Sequence, residues 1–225
     1  LAPNVRQSAA LVLRIYVTYI VLGTVALALA GMGLFDAINH AFAALSTGGF
    51  STRAASIGYW DSPAIEAVIL ILMLLGTLNY LTAYVLLRGK FKAVSRNGEI
   101  RLMAVLLPAV SFLLLVGVGL AGYESLGKAV RVVIFEATSA ISTTGFSTVS
   151  YTAWPGFGWM VLIIVMLIGG GSGSTAGGIK QLRVYVLLHS LYWEIRSAFI
   201  SDRAVNRPVI WRGEQRDVLT DAQIR

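Results

Sequence analysis

The feature that most constrains this chain is an eight-residue string that occurs twice, each time between a short apolar segment and a long one. The first string is LSTGGFST at Leu45–Thr52, and the second string is ISTTGFST at Ile141–Thr148, 96 residues further on. Serine, threonine, glycine, phenylalanine, serine and threonine occupy the same places in both. Such a match in the same hydropathy context predicts two copies of one membrane unit.

Composition places the chain among membrane proteins. Of its 225 residues, 56% are hydrophobic and only 13% are charged, whereas soluble domains average about 25% charged. The absence of cysteine excludes disulfides, thiolate metal sites and cysteine nucleophiles. The two histidines, His40 and His189, are too few and too far apart to indicate a histidine metal centre.

The basic residues are distributed in a way that predicts membrane topology. The formal charge is +7, but few lysines or arginines fall in the stretches that carry the two strings. Cytoplasmic segments are enriched in lysine and arginine, so the basic connection and the C-terminal part are predicted to be cytoplasmic and the strings to face outside. Nucleic acid is not an expected partner. The basic residues of those two segments are Arg88, Lys90, Lys92, Arg96, Arg101, Lys180, Arg183, Arg196, Arg203, Arg207, Arg212, Arg216 and Arg225.

Apolar segment lengths predict an all-α integral membrane fold. About 20 apolar residues span a bilayer, whereas the 13 residues of Leu34–Ser46 would form a helix of about 20 Å that stops midway. The predicted order is span, half-depth pore helix, string and span, occurring in residues 1–95 and again in 96–200, with a polar cytoplasmic tail in 201–225. The predicted spans are Ala9–Met32, Pro63–Leu87, Ile100–Ala121 and Trp159–Leu188, and the second half-depth helix is Ser125–Ser142.

The last predicted span is interrupted by GGGSGSTAGG at Gly169–Gly178, called the glycine-rich loop below. Six of its ten residues are glycine, and each glycine costs about 1 kcal/mol in a helix interior. The helix is therefore expected to break there. Non-helical backbone at membrane depth persists only where it lines water or is buried in protein, which favours a loop that faces a cavity and gates it.

Each string contains a segment comparable to a potassium-channel filter. Thr47–Phe50 reads TGGF and Thr143–Phe146 reads TTGF, and in TVGYG filters backbone carbonyls replace the water around the ion. Glycine permits the required backbone angles, and the C-terminal ends of the half-depth helices carry partial negative charge that favours a cation. The alternative is a polar turn whose serines and threonines only cap helix ends.

The two strings, together with GGGSGSTAGGIK in the last span, resemble the Trk/Ktr/HKT superfamily of potassium transporters, some of which carry sodium. The resemblance reaches to about Ile200 and implies four fused span, pore-helix and span repeats, of which this chain matches the second and third. It further implies a homodimer with a cytoplasmic ring of nucleotide-binding regulatory subunits, potassium as substrate, membrane lipid as surroundings and no cofactor. The location implied is the plasma (inner) membrane of the cell.

The same resemblance assigns roles to individual residues. The implied filter positions are Thr47, Gly48, Gly49, Phe50, Thr143, Thr144, Gly145 and Phe146, with potassium at the threonines and glycines. The implied gate residues are Gly169, Gly170, Gly171, Ser172, Gly173, Ser174, Thr175, Gly177 and Gly178.

Two departures from the superfamily pattern affect these expectations. The chain supplies two of four filter walls and lacks an initiator methionine, so it is expected to be an excerpt that does not conduct as a monomer. Gly48 stands where the second string has Thr144, which leaves the choice between potassium and sodium open.

Functions of other classes fit less well. The glycine-rich loop fails the Walker pattern, because isoleucine rather than lysine follows Gly178. Gly170-Gly171-Ser172-Gly173 fits the form used by intramembrane serine proteases, which need a histidine beside the serine. His40 is predicted on the outer half-helix and His189 near the cytoplasm, so no enzyme activity is expected.

A few further residues allow two interpretations each. Asn79 either lines the path or bonds to a neighbouring helix, and Glu136 either attracts cations at the outer mouth or is solvated or paired. Lys180 and Arg183 either contact a regulatory subunit or headgroups, or serve as positive-inside anchors.

Overall fold

The computed structural model describes residues 5–119, 122–123, 125–197, 209–212 and 215–218. Two successive units share the order of long helix, short helix, string and further helix, which confirms the predicted all-α fold class. The first unit contains α1 (Val5–Leu29), α2 (Leu34–Leu45), α3 (Pro63–Thr77), α4 (Tyr80–Leu87) and α5 (Phe91–Arg96). The second contains α6 (Gly98–Leu114, continued as a π-helical turn at Leu115–Gly119), α7 (Leu126–Ile141), α8 (Gly156–Ile168) and α9 (Gln181–Ser197).

Among the described residues, two helical segments are long and apolar enough to cross a membrane. These are Ala9–Leu29 and Gly98–Gly119, while α2, α3 and α8 are shorter apolar helices. Large apolar side chains such as Leu13, Leu22 and Leu29 point away from the protein core on α1, with exposed fractions above 60%. An apolar helix face left open in this way is suited to contact lipid rather than water.

The predicted span Pro63–Leu87 is not a single helix, because α3 ends at Thr77. Leu78 has extended backbone angles (φ −71°, ψ 143°), and α4 begins at Tyr80. The carbonyls of Gly76 and Thr77, which would otherwise continue the helix, accept hydrogen bonds from the glycine-rich loop. The break thus satisfies helix-end carbonyls that would be costly to leave unpaired.

The two units interlock through their cores. Helices α1, α2 and α3 enclose one apolar cluster, and α6, α7 and α8 enclose a second. Phe135 and Phe146 belong to the second unit by sequence but pack in the cluster of the first, where both are at most 1% exposed. The second string is therefore held partly by residues of the first unit.

The predicted polar tail, residues 201–225, contains a short antiparallel hairpin. Val209–Arg212 pairs with Gln215–Val218, with Val209 opposite Val218 and Arg212 opposite Gln215. The other residues of that tail lie outside the described part of the chain. The hairpin is an addition to the helical body that the sequence reasoning did not include.

Candidate functional site

The two strings adopt the same backbone conformation at equivalent positions. Thr47 and Thr143 both have left-handed angles, with φ of 52° and 55°, and the glycines two residues later follow with φ of 66° at Gly49 and 87° at Gly145. A β-branched residue rarely adopts such an angle. Finding the angle at both threonines therefore indicates that the two units share this backbone conformation. The predicted internal repeat thus extends to backbone angles.

Hydrogen bonds repeat along with the angles. The Thr47 hydroxyl donates to the Ser46 carbonyl and the Thr143 hydroxyl to the Ser142 carbonyl, each over 2.7 Å. Thr144 differs from its counterpart Gly48 because its hydroxyl lies 2.7 Å from the Ser142 hydroxyl. The first string therefore lacks one side-chain hydrogen bond that fixes the second.

In the first unit, polar side chains of α2, the predicted half-depth helix, hold the C-terminal end of the string. His40 Nε2 lies 2.9 Å from the Ser51 hydroxyl, and Asp36 accepts hydrogen bonds from Thr52 and Arg53 at 2.6 and 2.8 Å. His40 is fully buried and its other ring nitrogen bonds the Asp36 carbonyl. These bonds fix the direction in which the chain leaves the string.

In the second unit, Glu136 of α7, the other predicted half-depth helix, holds the C-terminal end of the string. Its carboxylate accepts from the Thr148 amide and hydroxyl, each at 2.8 Å, and from the Tyr151 hydroxyl. Glu136 is 0% exposed, so of the two interpretations of this residue the structure supports a paired carboxylate. An outer-mouth attractor for cations would have to face solvent.

The strings meet each other at their glycines. A Cβ added to Gly49 would overlap the Thr144 carbonyl oxygen and lie 3.1 Å from the Gly145 carbonyl carbon. The Gly58 amide donates to the Ser147 carbonyl over 3.1 Å, which joins the loop after the first string to the second string. Gly145 is exposed and has open space where a Cβ would be, so the backbone of the second string approaches Gly49 closely while the Cβ side of Gly145 stays open.

The two phenylalanines that end the filter segments have different surroundings. Phe146 is 0% exposed and stacks on the His40 ring, with centroids 5.6 Å apart. Phe50 is 82% exposed. The sequence repeat alone did not distinguish them, because the difference arises from which unit lies next to each phenylalanine.

The predicted break in the last span is present between α8 and α9. Positive φ angles of 71°, 72° and 80° at Gly169, Gly173 and Gly178 turn the chain in the glycine-rich loop. The ends of the break are bonded together, since Gly170 donates to the Gly177 carbonyl over 3.3 Å and accepts from the Gln181 amide over 2.8 Å. The loop is therefore a defined structure rather than a stretch of unfolded helix.

The glycine-rich loop reaches both strings and the end of α3. The Thr175 hydroxyl lies 2.8 Å from the carbonyl of Leu45, the first residue of the first string, and 2.9 Å from the Gly76 carbonyl. The Gly177 amide donates to the Thr143 hydroxyl over 2.6 Å. The structure thus brings the predicted gate against both predicted filter segments.

Sequence reasoning missed two groups that hold this loop. The Thr77 carbonyl accepts from the Gly171 amide over 3.0 Å, and the buried Glu99 carboxylate accepts from the Ser172 amide over 2.7 Å. A polar pair, Thr77 and Asn79, inside an apolar segment was the available sequence signal for the break in α3. Asn79, for which the sequence allows two interpretations, has its side-chain amide next to Gly173.

The alternative chemistries find no support in these contacts. His40 bonds Ser51, and His189 stacks on Tyr185 with ring centroids 5.9 Å apart, so the positions of both histidines are explained without Ser172. No group of three or more histidine, aspartate or glutamate side chains that could hold a metal ion occurs in the described ranges. Lys180 donates from its ammonium group to the Ala176 carbonyl within the loop.

A helical fold with long apolar helices, two short helices that lead into polar strings and a broken last helix is that of an α-helical integral membrane protein. A family model described as a cation transport protein, TrkH, matches residues 1–221. The chain therefore belongs to the TrkH family of cation transport proteins, which confirms the resemblance seen in the sequence.

Individual relatives agree with this assignment. The Trk system potassium uptake protein TrkH of Escherichia coli K12 is 38% identical over 191 residues, covering 82% of this chain and 39% of the relative. TrkH of Halomonas elongata is 34% identical over 190 residues, covering 84% of this chain and 39% of the relative. The crystal structure of the potassium transporter TrkH from Vibrio parahaemolyticus superimposes with a TM-score of 0.81 at 31% identity, covering 92% of this chain and 45% of that one.

The chain spans about two fifths of the length of the curated relatives it matches. These relatives are named as potassium uptake proteins and transporters, so the expectation of a transporter rather than an enzyme agrees with them.

Proposed function

We propose that this chain forms part of a potassium uptake pathway in which the two strings supply two walls of a selectivity filter. The observation that carries the proposal is the shared left-handed conformation at Thr47 and Thr143 and at Gly49 and Gly145. Such angles allow successive carbonyl oxygens to point to one side, where they can replace the water of an alkali cation. Hard oxygen ligands suit that ion.

The pore helices add a favourable field. Helices α2 and α7 end at Leu45 and Ile141, immediately before the filter segments. The C-terminal end of a helix carries about half a negative charge, so both helix ends favour a cation near the strings. The names of the relatives, all of the Trk potassium system, support potassium as that cation.

Further pore-loop units would complete the filter. Phe146 packs on His40 of the preceding unit's pore helix, and by the same rule the exposed Phe50 would pack on the pore helix of another unit. A homodimer, a cytoplasmic nucleotide-binding regulatory subunit, and filter loops that face outside from an inner membrane follow from the superfamily resemblance and belong to the same proposal.

The glycine-rich loop would gate the path. Its hydrogen bonds to Leu45 and Thr143 support this role, because a loop bonded at the start of both proposed filter segments would obstruct a leaving ion. Deleting residues 169–178 from the intact protein is expected to raise ion flux, and unaltered or reduced flux would remove the gate from the proposal.

The filter is tested by Gly145→Ser in the intact protein, expressed in cells that lack other potassium uptake. The serine side chain would fit in the open space at this position, but residues other than glycine rarely adopt its φ of 87°. The backbone should therefore distort, and the expected result is a reduced preference for potassium over sodium. The measurement is uptake of rubidium and sodium at matched expression.

Gly156→Ser is the matched control, because Gly156 also has open space around its Cβ position but lies at the start of α8 without a positive φ. Unchanged ion preference in Gly145→Ser, or an equal change in both variants, would count against the filter.

A further inference from the structure

A buried carboxylate outside the two strings is bonded to the glycine-rich loop. Glu99 is 6% exposed, and its Oε1 accepts the Ser172 amide over 2.7 Å. Its second carboxylate oxygen lies 3.5 Å from the position that a Cβ on Gly171 would occupy. A hydrogen bond to an ionised acceptor is about twice as strong as a neutral one, so this contact is suited to hold the loop.

The carboxylate is fixed by its own surroundings. Asn97 caps helix α6 by accepting the Glu99 amide over 2.9 Å, and its side-chain amide donates to the Thr82 hydroxyl over 3.0 Å. Gly98 packs against the Tyr185 ring so closely that an added Cβ would lie 2.6 Å from a ring carbon. The start of α6 is thus packed between α4 and α9, which holds Glu99 in place by contacts that do not involve the loop.

Other bonds that join the loop to distant parts of the chain come from neutral groups, and the charged Lys180 bonds the Ala176 carbonyl from only two residues beyond the loop. Gly171 donates to the Thr77 carbonyl, Thr175 to the Leu45 carbonyl and Gly177 to the Thr143 hydroxyl. Each is a neutral hydrogen bond with a modest net contribution. Glu99 therefore supplies the charge-assisted contact in this set, and it binds the N-terminal half of the loop, whereas Thr143 binds the C-terminal half.

We propose that Glu99 is a positioning residue that holds the glycine-rich loop in its obstructing position by accepting the Ser172 amide. The inference rests on the proposed gating role of that loop. Loss of the negative charge weakens the bond, so the loop leaves the ion path more often. Because Tyr185 of α9 packs against Gly98, next to Glu99 at the start of α6, a movement of α9 would shift Glu99 and, through its bond to Ser172, the loop.

The test uses Glu99→Gln in the intact protein, with a thiol introduced into the loop as Ser172→Cys. The 225 residues contain no cysteine, and any cysteine elsewhere in the intact protein is replaced by serine. Rubidium uptake and the rate at which a charged thiol reagent modifies the introduced thiol are measured at matched expression. Exchanging a charged acceptor for a neutral one is expected to raise both by about threefold to tenfold.

Glu66→Gln is the matched control, since Glu66 is also buried, at 3% exposed, but lies in the first turn of α3 beside Arg131. It is expected to leave the modification rate unchanged. Glu99→Asp keeps the charge but shortens the side chain, so it is expected to give uptake and modification rates between those of the parent and Glu99→Gln. If Glu99→Gln does not accumulate in cells, the rates of Glu99→Asp test the role of Glu99.

The two readouts separate the inference from the function on which it rests. A modification rate in the Glu99 variants equal to that of the parent, or an equal rise in Glu66→Gln, overturns the role of Glu99. A raised modification rate in a protein whose parent transports no rubidium supports the contact while rejecting the proposed function. A merely structural role would lower thermal stability without raising uptake.

Discussion

The backbone amide of Gly177 donates a hydrogen bond to the hydroxyl of Thr143 over 2.6 Å. The same hydroxyl donates to the Ser142 carbonyl over 2.7 Å, so one side chain bonds both the C-terminal end of α7 and the glycine-rich loop. If the strings form the filter and the loop forms the gate, Thr143 belongs to both. Changes at this residue should then alter selectivity and flux together.

Thr143→Val keeps the shape of the side chain and removes both hydrogen bonds. Each bond contributes about 0.5–1.5 kcal/mol, so we expect rubidium uptake to rise roughly twofold to tenfold while preference for potassium over sodium falls. Uptake assays of both ions in cells measure the two effects. Thr143→Ser, which keeps the hydroxyl, should resemble the parent.

Thr47→Val is the matched control, because Thr47 occupies the position in the first string that Thr143 occupies in the second. Thr47 has the same backbone angle and the same bond to the preceding carbonyl, whereas the loop residue near it, Thr175, bonds the Leu45 carbonyl instead. Thr47→Val should lower ion preference without raising flux. Equal effects of the two valine variants on flux would contradict a link between Thr143 and the gate.

The glycines Gly49 and Gly145 should respond differently to alanine. Both have positive φ, which costs an alanine about 1–2 kcal/mol. Only at Gly49 would the added Cβ overlap the Thr144 carbonyl oxygen. We therefore expect Gly49→Ala to lower thermal stability in detergent clearly more than Gly145→Ala does. Equal loss in both would indicate that the strings do not meet as described.

The sequence predicts those parts of the fold that local patterns determine. The strings, the 12-residue helix α2 and the break at Gly169–Gly178 follow from spacing, helix length and glycine content. The difference between Phe50 and Phe146 does not, because two nearly identical strings carry no information about which unit packs against each phenylalanine. Exposure of 82% against 0% is decided by tertiary neighbours.

The break in α3 shows the same limit at the candidate site. Residues 63–87 are apolar enough to predict one span, and Leu78 is an ordinary helix former. The helix ends because the carbonyls of Gly76 and Thr77 bond to Thr175 and Gly171, about a hundred residues later in the chain. The role of Glu99 was missed for the same reason, since its partner is 73 residues away.

Phe146→Ala should destabilise the contact between the two units. The side chain is fully buried and stacks on His40, and truncating a buried phenylalanine costs about 3–5 kcal/mol. A thermal unfolding midpoint lowered by several degrees in detergent is expected. Phe112→Ala is the control because Phe112 is 65% exposed on α6, and a similar loss there would contradict the assignment of Phe146 to the interface.

Ion pairs at the start of α3 join the units as well, and they predict a pH dependence. Asp61, in the loop before α3, accepts a hydrogen bond from Lys128 of α7 over 3.2 Å and also pairs with Arg131. The hydrogen bond from Lys128, aided by the charges of both basic groups, lowers the pKa of Asp61 below its ordinary 3.8. A carboxyl with a lowered folded-state pKa stabilises the fold above its unfolded pKa, and this stabilisation is lost as pH falls through the lowered value.

The thermal midpoints of the parent and of Asp61→Asn should therefore differ at pH 7 and converge as the pH falls below 3.8. The Asp61 side chain is 59% exposed, so solvent screening limits the difference at pH 7 to about 2–4 °C or less. Raising the salt to about 1 M at pH 7 should remove most of it. A difference that persists at low pH and high salt would show that Asp61 acts through packing rather than through its charge.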